Sequence, residues 1–345
     1  MQKNHQLIKK PICLALQGGG AYGAYSWGIL DKLLEDNRLD IEAISATSAG
    51  SVNAVILAHG LIKGGNEGAR EALNDFWTSI SEYGSYLSPI RQMLPENLAS
   101  FDVTAYSTFE TFDNFCHAVS PYLFNPFNFN ILKIILQNKV DFELLKKETS
   151  IQLFLCATNV KTGKLKVFEN AELSIDAVLA SACLPHLNHA VNIDDEYYWD
   201  GGYIGNPPIF PLIYKSKIND ILIIHNNPIV RDSVPVTSHE IDNRMNEISF
   251  NSSLMRELRA IHFVTTLITD GMIKSEFKDY VRLKLVHIIR SDAAMNQFSL
   301  IDKYKWHLEF LLKLRDLGRK NATNWLESNC QDVGIKSTID FNEFL

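Results

Sequence analysis

Ser48 is the residue whose type and surroundings point most directly to nucleophilic chemistry. It lies in the run ATSAG, between a short apolar segment at 41–45 and a longer apolar segment at 52–62. This order predicts a strand, a sharp turn and a helix. It is the arrangement of a nucleophile elbow, where small neighbours such as Ala46 and Gly50 permit close packing. The alternative is a structural role, because serine is also a common N-terminal cap of helices.

The segment GGGAYG, which follows an apolar run at 12–16, is a second candidate functional element. Its glycines are Gly18, Gly19, Gly20 and Gly23. They permit a tight turn that exposes backbone N–H groups, and the following helix adds partial positive charge. Such a loop stabilises either a dinucleotide or the oxyanion of an ester reaction. A dinucleotide site calls for an acidic residue at the end of the next strand, whereas Asp40 precedes that strand and Ser48 follows it.

A serine nucleophile needs a base to take its proton, and Asp200 is the best candidate for that role. It follows an apolar run at 191–199 and precedes Gly201 and Gly202, which let neighbouring backbone approach closely. A free aspartate has a pKa of about 3.9 and is a weak base, but burial raises that pKa. The alternative is an ordinary turn residue. No histidine lies in a catalytic motif, and we expect structural or surface roles for the nearest ones: His186, His189 and His225.

The order of apolar runs and turns predicts an α/β fold, with a central, mainly parallel sheet flanked by helices. Two strand, turn and helix units occupy residues 12–62. Further strands are predicted at 151–160, 164–168, 191–199 and 221–225. Thr237 and Glu240 have the spacing of a capping box before a long packing helix at 241–268. We expect the α/β alternation to end at His225 and the rest of the chain to be mostly helical.

These patterns divide the chain into three parts. A polar leader at 1–10 precedes an α/β domain at 11–228, and a mostly helical C-terminal region follows at 229–345. Within the α/β domain, residues 64–140 depart from the strand and helix alternation and read as an inserted region. Aromatic residues crowd its part between 101 and 129. This crowding predicts either an apolar ligand pocket or membrane-contacting lid, or the core of a helical insertion.

Composition and charge narrow the possible classes of protein. Hydrophobic residues make up 46% and charged residues 21%, which is typical of a globular domain. The net charge of -7 disfavours a nucleic-acid partner, which calls for a basic surface. The five cysteines are scattered without a CxxC pair, which fits a reducing compartment better than a disulfide framework or zinc site. Since no secretory signal or membrane-spanning run is visible, we expect a cytoplasmic protein with at most peripheral membrane contact.

Three ordered motifs give the sequence a resemblance to the bacterial patatin-like phospholipases. They are LALQGGGAYGAYSWGIL, ISATSAGSVNAV and YWDGGYIGNPP, and the likeness extends from Ile12 to about Asn227. The run NEISFNSSLMRELRAI also resembles the C-terminal part of one bacterial branch. Because three motifs occur in the same order, the resemblance is far more specific than one glycine motif alone.

The resemblance implies a patatin-like α/β fold and an enzyme that hydrolyses acyl esters of glycerolipids, of the phospholipase A or lysophospholipase type. It also implies a Ser and Asp dyad without metal, cofactor or triad histidine. By position, Ser48 takes the place of the nucleophile and Asp200 that of the base. Gly18, Gly19 and Gly20 take the place of the oxyanion-hole donors. A lipid is then the substrate, and contact with a membrane surface is expected.

The sequence departs from the family's pattern at two positions. Ala46 stands where glycine is usual and adds a methyl group to the elbow, and Tyr22 stands where many members have Arg or Lys. Loss of that cation bears on head-group binding and not on the serine chemistry. Two other functions stay open at this point. One is a nucleotide-binding oxidoreductase that holds NAD through GGGAYG, and the other is a catalytically inactive patatin-like interaction protein.

Overall fold

A central sheet of eight strands organises the chain. The computed structural model describes residues 9–86, 118–277 and 281–344. The strands are β1 (Lys10–Leu16), β2 (Leu39–Thr47), β3 (Gln152–Asn159), β4 (Leu165–Glu169), β5 (Val191–Ile193), β6 (Glu196–Asp200), β7 (Asp220–Ile224) and β8 (Leu285–Ile289). Their spatial order is β5-β6-β3-β2-β1-β7-β8, and β4 pairs with β3 beside this path.

Helices connect the strands and cover the sheet. They are α1 (Gly23–Asp36), α2 (Ala49–Tyr86), α3 (Pro121–Phe124), α4 (Ile131–Lys139), α5 (Phe142–Lys147), α6 (Ile175–Ser181), α7 (Phe210–Lys215), α8 (Ser238–Thr269), α9 (Asp292–Met295) and α10 (Leu308–Asn329). The long α2 is interrupted at Gly64 and Gly65, whose backbone angles are not helical. No helix in the described ranges combines the length and the apolar character that crossing a membrane requires.

The alternation of side chains along β1 builds an apolar core on each face of the sheet. Ile12, Leu14 and Leu16 contribute to one core, together with side chains of α1, α2 and α10. Cys13 and Ala15 point the other way and join a second core with side chains of α7 and α8. Because successive residues of a strand face opposite sides, one short apolar run can bury both faces of the sheet.

The register of the strands determines which loops meet at the site. β1 runs parallel to both β2 and β7, and Leu16 is paired with Ala46 on one side and Ile224 on the other. The residues that follow these three strands therefore lie at the same edge. β6 runs antiparallel to β3 and pairs Asp200 with Ala157, while the preceding residue of β3, Cys156, pairs with Thr47. Asp200 is thus level with the end of β2.

The predicted α/β architecture with a mainly parallel sheet is confirmed, and two details differ. The apolar run at 191–199 forms the hairpin of β5 and β6 rather than one strand. β8 continues the sheet beyond His225, where the sequence pattern predicts that the α/β alternation ends. A five-residue apolar run lacks a periodic signal that would distinguish a strand from a buried helical segment, so the sequence pattern missed it. The capping box at Thr237 and Glu240 is present.

The region after residue 228 is joined closely to the rest of the chain. β8 pairs in parallel with β7, and α10 packs along α1. The 3₁₀ segment Leu300–Tyr304 lies against the 3₁₀ turn Gly20–Tyr22, which contains part of the glycine motif. The C-terminal region therefore completes the sheet and contacts the loop that the sequence singles out.

Candidate active site

Ser48 occupies a sharp turn between β2 and α2. Its φ of 57° is in the left-handed region, which is uncommon for residues other than glycine. Its N–H donates to Ser181 Oγ at 3.0 Å, and its carbonyl accepts from the N–H of Ser51 at 2.9 Å. A serine that caps a helix usually has an extended φ instead. The geometry therefore favours the elbow over the capping interpretation.

A small network of hydroxyl groups holds this turn, and no sequence motif indicates it. Ser181 Oγ donates to the Cys156 carbonyl of β3 at 2.6 Å, and Ser51 Oγ lies 2.8 Å from the same hydroxyl. Ser51 and Ser181 are fully buried. These bonds tie the strained turn to the neighbouring strand and to the end of α6, so the position of Ser48 is set by packing as well as by local sequence.

Asp200 ends β6 and is 1% exposed. Its N–H donates to the Cys183 carbonyl at 2.8 Å, and its carbonyl accepts from Thr158 Oγ1 at 2.8 Å. The side chain is held by one bond, from the N–H of Gly202 to Oδ1 at 2.7 Å. The second carboxyl oxygen, Oδ2, is buried and accepts no hydrogen bond within the described part of the chain.

The carboxyl of Asp200 lies beside the hydroxyl of Ser48. Burial raises the pKa of Asp200 to about 6, while the neighbouring Ser48 hydroxyl and the Gly202 N–H hold it lower than burial alone would. The hydroxyl is close enough to influence this pKa, although Oδ2 lacks a well-formed bond. The structure thus brings together the two side chains that the sequence proposed as nucleophile and base. At neutral pH the carboxyl is ionised and has an appreciable basicity.

The glycine loop lies directly against the elbow. A Cβ placed on Gly18 would be 2.6 Å from the Cβ of Ser48, so no side chain fits there. The N–H of Gly18 donates to Asn206 Oδ1 at 2.7 Å and is therefore already occupied. The N–H groups of Gly19 and Gly20 donate to no side chain and to no carbonyl of another loop among the described residues. Gly20 has a φ of 59°, and a Cβ on it would lie 2.5 Å from the Lys303 carbonyl oxygen.

The remaining motif residues also lie where space is restricted. Cβ atoms on Gly23, Gly50, Gly201 and Gly202 would each come within 3 Å of a neighbouring atom. Ala46 is fully buried within β2, where its extra methyl group is part of the apolar core. The small size of these residues therefore has a packing reason at each position.

Buried amide side chains form a framework beneath the glycine loop. Gln17 Oε1 accepts from the N–H groups of Asn226 and Asn227 at 2.8 and 2.9 Å. Gln17 Nε2 donates to Asn251 Oδ1 at 2.9 Å. Asn227 Nδ2 donates to the carbonyl of Gly18 in the glycine loop at 3.0 Å. Asn206 Nδ2 is buried near this framework without a partner among the described residues. Sequence reasoning missed all five residues, because single Asn and Gln residues in loops carry no distinctive signal.

A buried lysine lies beside Tyr22, one of the two positions at which the sequence departs from the family's pattern. Lys303 Nζ lies 5.7 Å from the centre of the Tyr22 ring and 5.0 Å from that of Phe250, and it donates to Asn246 Oδ1 at 2.7 Å. Burial lowers the pKa of Lys303 to about 8. The hydroxyl of Tyr22 donates to the Ser299 carbonyl at 2.6 Å. The ammonium group of Lys303 thus lies against the ring of Tyr22, which stands where many family members have Arg or Lys.

His225 and His189 form their hydrogen bonds with groups other than the side chains of Ser48 and Asp200. His225 is buried between Asn251 Oδ1 at 3.1 Å and Ser291 Oγ at 3.2 Å, and burial lowers its pKa to about 4. His189 stacks on Tyr122 with ring centres 4.0 Å apart. Among the described residues, no group of three or more His, Cys, Asp and Glu side chains could hold a metal ion.

The structure disfavours a dinucleotide at the glycine loop. Asp40 is exposed near the amino end of β2, where it pairs with Pro11. It therefore lies at the opposite end of the strand from the loop. The Lys303 carbonyl fills the space beside Gly20, and Tyr22 is only 3% exposed. The start of α1 is thus covered by protein where a pyrophosphate would have to approach.

The aromatic stretch at 101–129 lies partly outside the described residues, which begin again at 118. In the described part, Phe127 is 93% exposed and Phe129 54% exposed. Tyr122 is also more than half exposed, although its ring stacks on His189 and its hydroxyl accepts from the N–H of Ala190. These side chains contribute little to a core, and the pocket or lid interpretation stays a prediction.

The fold and the candidate site together define the class: an α/β protein with a mainly parallel sheet, in which a serine on a strained turn lies beside a buried aspartate. The family model described as Patatin-like phospholipase matches residues 14–213, which is more than half of the chain. The chain therefore belongs to the patatin-like phospholipase family, whose members are lipid acyl hydrolases. None of the curated proteins compared with the chain matches it.

Two of the solved structures that match the chain are bacterial proteins. VipD from Legionella pneumophila is 14% identical over 92% of this chain and 66% of its own, with a TM-score of 0.43. ExoU, in the complex ExoU-SpcU from the type III secretion system of Pseudomonas aeruginosa, is 19% identical over 71% of this chain and 51% of its own, with a TM-score of 0.32. The chain thus spans just under two thirds of VipD and about half of ExoU.

Proposed function

We propose that this protein is a serine lipid acyl hydrolase of the phospholipase A or lysophospholipase type. Ser48 is the nucleophile and Asp200 is the base. The observation that carries the proposal is the buried Asp200 carboxyl, which has a free Oδ2 and a raised pKa and lies beside a serine on a strained turn. Such a carboxylate can accept a proton at neutral pH, which an exposed aspartate does poorly.

The reaction follows from this arrangement in two halves. Ser48 Oγ forms a bond to the ester carbonyl carbon while its proton passes to Asp200, and the carbonyl oxygen becomes an oxyanion. The carbon–oxygen bond to the alcohol then breaks, and the leaving oxygen takes the proton from Asp200. A water molecule attacks the acyl-enzyme and gives its proton to Asp200. Collapse releases the fatty acid and returns a proton to Ser48.

The glycine loop is the proposed oxyanion hole. The N–H groups of Gly19 and Gly20 are the donors, since that of Gly18 is bonded to Asn206 Oδ1. Gly18 instead sets the distance between loop and elbow, because its Cα packs against Ser48. The start of α1 adds partial positive charge beside the loop. Loss of one oxyanion donor typically costs on the order of 10²–10³ in kcat.

We propose that residues 11–228 form the catalytic unit and that residues 229–345 complete it. The C-terminal region supplies β8 and the segment at 300–304, which covers the glycine loop. It also supplies the inner side of α8, which carries the buried Asn251. Since lipid esters are presented at membranes, the protein is expected to act in the cytoplasm at a membrane surface, which it contacts peripherally.

The experiment that tests the dyad compares labelling and turnover. The purified protein should react with a fluorophosphonate probe and hydrolyse fatty-acyl esters, whereas Ser48→Ala should lose both activities. Asp200→Asn should lose turnover. Ser249→Ala, an exposed serine on α8, is the matched control and should behave as the unsubstituted protein. Labelling that survives in Ser48→Ala would remove the nucleophile assignment, and an unreactive parent protein would favour an inactive interaction protein.

A further inference from the structure

One side of α8 is exposed and largely apolar, although the opposite side is buried against the sheet. The residues of this side, which are exposed except for the half-buried Ser252, recur every three or four positions and so lie on one face of the helix. We call them the α8 outer face: Ile241, Met245, Ile248, Ser252, Arg256, Arg259 and Phe263. The three largest apolar exposures are 61% for Met245, 55% for Ile248 and 64% for Phe263. Exposed apolar side chains grouped in this way on one helix face often mark a surface that contacts another apolar phase.

A shallow cleft of about 380 Å³ lies along this face and carries several cations. Its lining includes Ile229 and Ile248, together with the side chains of Arg244, Arg256 and Arg259. Arg256 and Arg259 donate to backbone carbonyls one turn earlier on the helix. Neither forms an ion pair with any carboxylate of the described residues. They stand out in a chain whose net charge is -7.

The acidic residues of the same helix do not neutralise this face. Glu247 is 2% exposed and pairs with Arg231 and Arg244. Glu257 accepts hydrogen bonds from two N–H groups at the start of α7. Glu240 and Asp242 are exposed near the beginning of the helix, several turns before Arg256. The α8 outer face therefore combines exposed apolar side chains towards its two ends with Arg256 and Arg259, which have no ion-pair partner among the described residues.

We propose that the α8 outer face docks on a membrane that contains anionic phospholipids. Apolar side chains flanked by arginine on one face of a helix are the pattern by which helices lie in a membrane interface, and each cation near an anionic surface strengthens binding. The preceding segment adds further exposed apolar residues, with Val234 and Val236 80% or more exposed. Phosphate oxygens of the lipid complement Arg256 and Arg259.

The same helix connects this surface to the candidate active site. On its inner side Asn251 bonds to Gln17 of the glycine-loop framework, and Phe250 lies 2.9 Å from where a Cβ on Gly202 would be. Docking through α8 thus holds the two catalytic loops near the lipid surface. The consequence for substrate delivery rests on the proposed function, whereas binding itself does not.

Vesicle binding tests the surface without depending on turnover. Binding is measured by co-sedimentation, in the Ser48→Ala background, with vesicles of phosphatidylcholine alone and of an equimolar mixture with phosphatidylglycerol. The protein should bind the mixed vesicles and should bind neutral ones weakly. Arg256→Glu/Arg259→Glu should weaken binding about thirtyfold or more, since each cation contributes about a factor of five. Met245→Ser/Ile248→Ser should weaken binding to both kinds of vesicle.

Lys147→Glu/Lys164→Glu is the matched control, because it makes the same charge change at exposed positions outside α8. It should retain most of the binding, and both charge variants with Ser48 intact should hydrolyse a soluble short-chain ester equally. Unchanged binding after the arginine reversal, or an equal loss in the control, would overturn the proposal. So would a dimer in light scattering that Met245→Ser/Ile248→Ser dissociates, since a second copy would then cover this face. Loss of ester hydrolysis alone would count against the proposed function instead.

Discussion

Replacing Asp200 by asparagine is expected to make the protein more stable and inactive. The carboxylate is fully buried and keeps one hydrogen bond, from the N–H of Gly202. Burial raises its pKa from 3.8 to about 6, so the native state at neutral pH carries a charge that its surroundings disfavour. Asparagine keeps the shape and an acceptor for Gly202 and removes the charge. It also removes the proposed proton acceptor for Ser48.

The magnitude and its pH dependence follow from linkage. A pKa near 6 in the native state and 3.8 in the unfolded state differ by about 2 units, which corresponds to about 3 kcal/mol. Because the native pKa is raised, the cost of the charge is fully present above pH 6 and disappears as the pH falls towards 3.8. Asp200→Asn should therefore raise the free energy of unfolding by up to about 3 kcal/mol at pH 7.5. The gain should shrink between pH 6 and pH 4.

Two measurements check this expectation. Denaturant unfolding of the parent and Asp200→Asn at several pH values gives the difference in stability, and ester hydrolysis gives kcat/KM. In the parent, kcat/KM should fall about tenfold per pH unit below pH 6, and the variant should lose on the order of 10²–10⁴ in rate. Asp292→Asn is the control and should lower the free energy of unfolding, because Arg290 and backbone N–H groups lower the pKa of Asp292. A destabilised Asp200→Asn, or a parent profile with an inflection near pH 4, would refute the reasoning.

Three further substitutions test the surroundings of the dyad. Gly18→Ala should lower kcat/KM at least about 100-fold with a smaller effect on melting temperature, because its Cβ would displace Ser48; unchanged turnover would contradict this. Ser181→Ala should cost about 1–3 kcal/mol in denaturant unfolding, since it leaves the N–H of Ser48 buried and unpaired, and a neutral result would show that the turn is held otherwise. Lys303→Met should raise stability by up to about 3 kcal/mol at pH 7, because a pKa lowered from 10.5 to about 8 penalises the native cation. Calorimetry should show that gain shrinking between pH 8 and pH 10.5.

The turns that carry Ser48, Asp200 and the glycine motif could be predicted from the sequence because their constraints are local. A left-handed serine needs small neighbours, and a loop packed against it needs glycine, so ATSAG and GGGAYG carry the requirement in adjacent residues. Asp200 is followed by two glycines for the same reason. The strand register then brings the three turns together, and this follows from the rule that neighbouring parallel strands end at the same edge.

The supporting framework could not be predicted, because its contacts join residues that are distant in the sequence. Gln17 bonds to Asn226, 209 positions away, and Lys303 lies against Tyr22 from the C-terminal region. Nothing in the local sequence of Asn226 or Lys303 identifies its partner. The apolar periodicity at 241–268 predicts a packing helix, which describes only the buried side of α8. Apolar periodicity does not tell which of two apolar faces is covered.

The raised pKa of Asp200 supports the proposed role of this aspartate as a base without a histidine. A carboxylate in water is too weak a base, and one buried without any donor would hold its proton at neutral pH. Here burial raises the pKa, and the Gly202 N–H and the Ser48 hydroxyl limit the rise. The result is a group that is ionised at pH 7 and only about one unit from its pKa. Gly202 is therefore required for basicity as well as for space, since any change that moves its N–H from Oδ1 would raise the pKa of Asp200 and leave the carboxyl protonated.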